Sequence, residues 1–341
     1  SYDKPLHIVR GRGCYLYDSD ARAYLDLYNN VAHLGHQHPK IVRAITEQTA
    51  LLNTNSRYLH ELRQAYTERL CALLPEGLEV AYFVNSASEA NELALRMAQA
   101  YTHRKDMLVV EHAYHGHTSN LIDLSPYKHD GPGGAGAPNW VHSIPQADPY
   151  RGGGTYDDPH AGEKYAQVLA DKLDELGDQN RLPAAFIAET YPSVGGQIIP
   201  PVGYLTYVQQ HLRQRGVLYI ADEVQTGMGR IGSHWWAFAT EEVIPDIVVL
   251  GKPIGNGYPL AAVITTRTVA DAFDNGMEYF STYGGNPVAM AAGLAVLDAI
   301  EEEDLLVNAL QVGKLFMDGL KKLQDQCPLI GDVRGAGLFL G

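Results

Sequence analysis

Five short apolar runs rich in β-prone residues set the rhythm of the chain: AYFV (81–84), MLVVE (107–111), AAFIAE (184–189), VLYIA (217–221) and DIVVLG (246–251). Longer segments separate them. Two of these, NELALRMAQAYTHR (91–104) and YLTYVQQHLRQRG (204–216), carry apolar residues at helical spacing, and the second closes on a glycine. Strands that alternate with helices in this way build a mostly parallel sheet with helices on its faces, so the pattern predicts an α/β fold. A chain of 341 residues, 45% of them hydrophobic, holds ample apolar material for one large domain of this kind and a smaller α+β domain beside it.

The ends of the chain read differently. GCYLYDSDARAYLDL (13–27) alternates as a small hairpin turning at Asp18 to Ala21 and belongs with the smaller domain. HDGPGGAGAPNW (129–140) and YRGGGTYDDPH (150–160) are loops by their glycine and proline content. Helices are expected over about 286–299 and 303–323, and the closing GDVRGAGLFLG reads as a strand with no partner in view. The expected division is residues 1–45 as an N-terminal part of the small domain, 46–285 as the large domain, and 286–341 as a linking helix and the start of the C-terminal part. The first residue is Ser1 and not Met, so the natural product is expected to begin elsewhere.

Several function classes fit poorly. A net charge of −14 without any basic run opposes nucleic-acid binding, which needs clustered Lys and Arg. No stretch approaches the roughly 20 apolar residues of a membrane span, and SYDKPLHIVRGRG lacks the apolar centre of a signal peptide; a cytoplasmic enzyme is expected. Cys14, Cys71 and Cys327 lie far apart with no C-x-x-C pair, as free thiols do. The alternate-residue pairs His36/His38 and His115/His117 bring no Cys or carboxylate partner with them, so no metal is expected.

The chemistry concentrates at strand ends. Asp222 closes VLYIAD, and Lys252 follows DIVVLG thirty positions later. In open α/β sheets ligands bind beyond the carboxyl ends of strands. There a lysine can form a Schiff base with an aldehyde cofactor while a carboxylate keeps a pyridine nitrogen protonated. YFVNSASEANELALRMA runs from a strand through small polar residues into a helix, whose first amides and dipole suit a phosphate. Alone, such a turn means only a helix cap by Ser86 or Ser88. EHAYHGHT, after another strand, offers Tyr114 as a flat face for an aromatic ring.

NSASEAN, AYHGHT, ADEVQTGMGR, GKPIGNGYPLAAV, STYGGNPVAMAAG and VRGAGLFLG stand in the order and spacing of the class III aminotransferases of pyridoxal phosphate (PLP) fold type I, which the chain resembles along essentially its whole length. The resemblance implies that Lys252 is the Schiff-base lysine and Asp222 the partner of the pyridine nitrogen. It implies that Gln225 bonds the ring hydroxyl, with Glu189 in the network beneath it. Tyr114 stacks on the ring, beside His115; Ala87 and Ser88 hold the phosphate; and Thr282 reaches the phosphate of a neighbouring subunit in a homodimer that shares its active sites.

Two departures matter. Ordinary members read E-P-x-x-G-E-G-G where this chain reads ETYPSVGG, so Val194 stands where the second Glu would pair with an arginine that yields to a keto-acid substrate. The chain also stops before the C-terminal region in which aminotransferases usually carry a carboxylate-binding Arg. NNVAHLGHQHP, LNTNSRYLH, HGHTSNLIDLSPYKH and ETYPSVGGQIIPP resemble the ethanolamine-phosphate and phosphohydroxylysine phospholyase branch instead. The expected activity is therefore β-elimination of phosphate from a small phosphorylated amine, with Arg57 and Lys128 as the cations for the substrate phosphate. An ω-aminotransferase is the alternative. A non-catalytic dimerisation module is a third reading, which would need none of Lys252, Asp222, Gln225 or Tyr114.

Overall fold

The computed structural model describes residues 4–341, beginning with a small antiparallel sheet of β1 (Ile8–Arg12), β2 (Tyr15–Asp18) and β3 (Ala23–Leu25). β2 and β3 form the expected hairpin. Asp18 closes its turn, accepting through Oδ1 from the amides of Asp20 and Arg22 at 3.0 and 2.9 Å. β1 pairs along the other edge of β2; its sequence, IVRGR, is too polar to announce a strand.

Helices α1 (Pro39–Leu51) and α2 (Glu61–Ala72) lead into the main sheet. Strand and helix then alternate through β4 (Val80–Val84), α3 (Ala87–Thr102), β5 (Met107–Val110), the short α4 (Ser119–Leu124) and α5 (Pro126–His129), and β6 (Val141–Ile144). They continue through α6 (Ala161–Asp178), β7 (Ala185–Glu189), α7 (Tyr204–Gln214), β8 (Leu218–Asp222), β9 (Ile247–Leu250), β10 (Ala261–Thr265) and α8 (Arg267–Phe273). The seven strands lie in the order β4-β10-β9-β8-β7-β5-β6, and β10 alone runs against its neighbours. The sheet is thus mostly parallel, as expected. β10 reverses because only the short stretch from Gly251 to Leu260 separates it from β9, too little chain for a crossover.

Period-two alternation divides the sheet residues between two cores. Leu108, Phe186, Tyr219 and Val248 pack on one face with residues of α1, α2, α6, α7 and α9 (Pro287–Glu302), while Val109, Ile187, Ile220 and Val249 pack on the other with α3 and α8. Burial on both faces is why these strands read as unbroken apolar runs. After α9 the chain breaks at Asp304, in the left-handed region at φ 49°, and continues as α10 (Leu305–Gln326).

The terminal segment corrects one expectation. It is not a strand without a partner but a tight hairpin of β11 (Gly335–Ala336) and β12 (Phe339–Leu340). Gly337 at φ 54° makes the turn that folds the segment back on itself, and the Leu338 amide donates to the Arg230 carbonyl at 3.0 Å. Among the described residues no helix is long and apolar enough to cross a membrane.

Candidate active site

The chain leaving β4, β5, β7, β8 and β9 converges at one edge of the sheet on a cavity of about 400 Å³. Ala87, Ser88, Tyr114, His115, Glu189, Asp222, Gln225 and Lys252 all line it. Their positions follow from the fold, since parallel strands deliver their carboxyl ends to the same side.

Lys252 comes directly off β9, at φ 37° in a short 3-10 turn that runs to Gly255. A non-glycine residue in that region is strained and persists only where its surroundings over-determine it. Burial pulls its ammonium below the usual lysine range, and the carboxylates of Asp222 and Glu189 pull the other way. The outcome is an amine more readily neutral, hence more nucleophilic, than a surface lysine. Gly251 before it has no side chain for a geometric reason: a Cβ there would lie 2.8 Å from the Ala87 Cβ. The β9 end is thereby seated against the first turn of α3.

That turn has a complete cap. Ser86 accepts the Glu89 amide at 3.2 Å, and the Glu89 carboxylate reaches back to the amide and side chain of Asn85. The amides of Ala87 and Ser88 have no acceptor within the helix and, with the helix dipole behind them, offer the cavity a site for an anion. Ser88 Oγ accepts the His117 amide at 3.3 Å, and Gly116, at φ 147°, allows that approach; a Cβ there would meet Ser88 Oγ at 2.7 Å.

Asp222 is buried at the end of β8. Its Oδ2 accepts from His115 Nδ1 at 2.9 Å and Asn91 Nδ2 at 3.0 Å, and its Oδ1 from the Val224 amide at 3.2 Å. His115 is the donor in its pair, because a carboxylate can only accept. Glu189 takes the Tyr114 amide at 3.2 Å through Oε1, and the Ser193 amide at 3.0 Å and the Ser193 hydroxyl through Oε2. Burial nevertheless raises its pKa. The Tyr127 ring meets Tyr114 edge-on at 6.1 Å, and Lys128 Nζ lies 5.6 Å from the Tyr114 ring centre.

Three expected site residues do not line this cavity: Lys128, Arg57 and Thr282. Lys128 lies over the Tyr114 and Tyr127 rings, with no ion pair among the described residues. Arg57 lies on an exposed surface, over the Phe280 ring at 4.3 Å and 3.4 Å from Glu278, and Thr282 is exposed two residues beyond Phe280. Conversely, sequence reading misses Asn91, Val224 and Asn30. Asn91 carries the one available signal, an amide among the apolar positions of α3, where a buried polar group must have partners. Val224 lines the cavity, and Asn30 donates to Gln225 Oε1 at 2.7 Å.

A readily deprotonated amine, two buried carboxylates, an aromatic face and a helix terminus for an anion together suit a phosphorylated aromatic aldehyde. Comparison with known proteins points the same way. The family model described as aminotransferase class-III matches residues 1–341. The chain is 48% identical to the alanine–glyoxylate aminotransferase 2-like protein of Drosophila melanogaster, over 99% of the chain and 69% of that protein. It is 43% identical to ethanolamine-phosphate phospho-lyase homolog 1 of Caenorhabditis elegans, over 99% of the chain and 75% of that protein. Among solved structures, a phospholyase from Arthrobacter in complex with phosphoethanolamine superposes with a TM-score of 0.92 at 36% identity, covering 99% of this chain and 79% of that one.

Proposed function

The chain belongs to the class III aminotransferase family and takes pyridoxal phosphate as its cofactor, and from that premise we propose that it is a phospholyase. Its reaction is the elimination of phosphate from a phosphorylated primary amine such as O-phosphoethanolamine, leaving an aldehyde, ammonia and phosphate. The donor set of the cavity fits the cofactor. Lys252 would hold it covalently, Asp222 would face its ring nitrogen, Gln225 would donate to its ring hydroxyl, and the Ala87 and Ser88 amides would take its phosphate. Tyr114 offers one face of a ring sandwich and Val224 lies in position to offer the other.

When bound, the cofactor supplies an aldehyde for the substrate amine and a ring that withdraws electrons. The protein's own residues do the rest. Asp222, held by three donors, stays an acceptor and keeps a proton on the ring nitrogen. Lys252 Nζ, once the substrate amine has replaced it, is the general base that removes the proton from the amine-bearing carbon. Phosphate on the adjacent carbon is a good leaving group, so elimination outruns return of the proton.

Val194 is the observation that carries this reading over transamination. It follows Ser193, which is tied to Glu189, and it puts an exposed aliphatic side chain where the family pattern has a glutamate to take up an arginine. The phospholyase names among the relatives support the same reading. Transamination remains the second reading, on the name of the 48% identical relative. Incubation with phosphoethanolamine and no keto acid separates the two: a lyase releases phosphate over many turnovers, whereas release only when a keto acid is added would overturn the proposal.

For the substrate phosphate we retain Lys128 and Arg57. Lys128 is an unpaired cation beside Tyr114, and Lys128→Ala is expected to lower kcat/KM for phosphoethanolamine by about ten- to a hundredfold, the worth of a charge-assisted bond of roughly 1.5–3 kcal/mol, with PLP binding unaltered. Arg57 lies outside the lining of its own cavity and would serve a phosphate from a second subunit, the route also proposed for Thr282. Wild-type efficiency in both Lys128→Ala and Arg57→Ala would place the phosphate elsewhere. The dispersed free thiols accord with a reducing compartment, the cytoplasm.

A further inference from the structure

Residues 26–36 reach the main sheet through hydrogen bonds to two loops, one bearing Gln225 and the other Lys252. Asn30 Nδ2 donates to Gln225 Oε1 at 2.7 Å, and His33 Nε2 stands 2.7 Å from the Met228 carbonyl. Asn256, four residues after Lys252, accepts the Leu34 amide at 2.8 Å. The segment is itself held in shape by consecutive side-chain turns: Asp26 Oδ1 accepts the Asn29 amide and Asn29 Oδ1 the Val31 amide, each at 2.9 Å, while Asp26 Oδ2 faces His36 Nε2 at 2.8 Å. Asn30 is therefore presented to Gln225 by a rigid stretch.

A glutamine side chain ends in one acceptor and one donor group, and whichever end is engaged decides what the other presents. We propose that Asn30 is a positioning residue for the reaction: by occupying the Gln225 carbonyl it turns the Gln225 amide N–H toward the cofactor's ring hydroxyl. The inference rests on the reading above, in which Gln225 donates to that hydroxyl. An N–H donor stabilises the hydroxyl oxygen as an anion, and that oxygen then holds the neighbouring proton on the Lys252–cofactor nitrogen less tightly. Without the donor, the pKa of that nitrogen rises. His33 does not disturb the arrangement across the working range, because burial first and the adjacent Arg230 second push its pKa down to about 3.

The test is a pH titration of the visible absorption band of the PLP-loaded enzyme in four single variants and one double variant. Gln225→Ala loses the donor, and its midpoint is expected to rise by about one unit. Asn30→Leu leaves Gln225 unoriented and should raise it by about half as much. Asn30→Ser removes the reach to Gln225 and should match the Leu variant, standing in for it if that chain fails to fold. Asn30→Asp offers only acceptors, so Gln225 must turn its N–H away and set its carbonyl against the ring oxygen; its shift should be the largest. In a Gln225→Ala background Asn30→Leu should add nothing. An unchanged midpoint in Asn30→Leu and Asn30→Ser, with Gln225→Ala shifted, would overturn this inference alone. A silent Gln225→Ala would remove the assigned role of Gln225 and this inference with it. A full additional shift from Asn30→Leu in the Gln225→Ala background would show an effect that bypasses Gln225, and would also overturn it.

Discussion

At the scale of single residues, the site depends on how burial and charge share control of Lys252. Desolvation lowers its pKa and the two carboxylates partly restore it, so the folded pKa lies below the usual 10.5. Only the neutral amine attacks an aldehyde. The rate of PLP capture by the apoenzyme should therefore rise with pH, about tenfold per unit below the folded pKa, and level off at a midpoint under 10.5. Glu189→Gln deletes a carboxylate that favours the ammonium, so it should move that midpoint further down; a midpoint that rises would show that Glu189 does not act on Lys252 through its charge. Borohydride treatment of the loaded enzyme should fix the label on Lys252, and recovery on any other lysine would refute the assignment. Lys252 and Asp222 are legible in the sequence because each sits at a strand end: Asp222 closes β8, and Lys252 follows β9 after a single glycine. Asn91 is not, because its partner Asp222 is 131 positions away and only the packing of α3 on the sheet joins them.

At the scale of elements, the proposed cofactor anchor rests on how closely the β9 end approaches the N-terminus of α3. Gly251→Ala would place a methyl group 2.8 Å from the Ala87 Cβ and push the two apart, an overpacking of about 1–3 kcal/mol. Equilibrium dialysis should show PLP retained about tenfold less tightly. Gly319→Ala is the control: it sits on an exposed face of α10 with nothing near its Cβ, so PLP retention should stay unchanged and thermal stability rise, as alanine outranks glycine in a helix by about 1 kcal/mol. Equal loss in both variants would mean that the α3 terminus is not the anchor. Strand rhythm in the sequence reveals β4, β5, β7, β8 and β9. It misses β6, whose VHSI is half polar, and β10, which follows β9 without the intervening α-helix that marks the other strands.

At the scale of the whole molecule, Arg57 and Thr282 face outward on a surface that also exposes Tyr58, Leu59, Met277 and Tyr283. Apolar side chains gathered on one surface accord with a subunit interface, and the proposed homodimer would carry Thr282 to its partner's cofactor. Mixing Lys252→Ala chains with Thr282→Ala chains tests this. Each mixed dimer regains one intact site, so random exchange should restore about a quarter of wild-type activity where each parent alone is impaired. No recovery after verified exchange would confine each site to a single chain.

The sequence by itself determined the α/β class, the two-faced sheet, the lysine and carboxylate at its strand ends and the capped helix beside them. All of these follow from local periodicity and from residues next to a strand or helix end. The tertiary structure alone decided that β10 runs against its neighbours, that the last residues pair with each other, that Arg57 lies outside the lining of its own cavity, and that Asn30 holds Gln225 across 195 positions. These are matters of strand order and of which surfaces pack together. Both are set by the burial of the whole sheet between its two cores, which no short window of sequence contains.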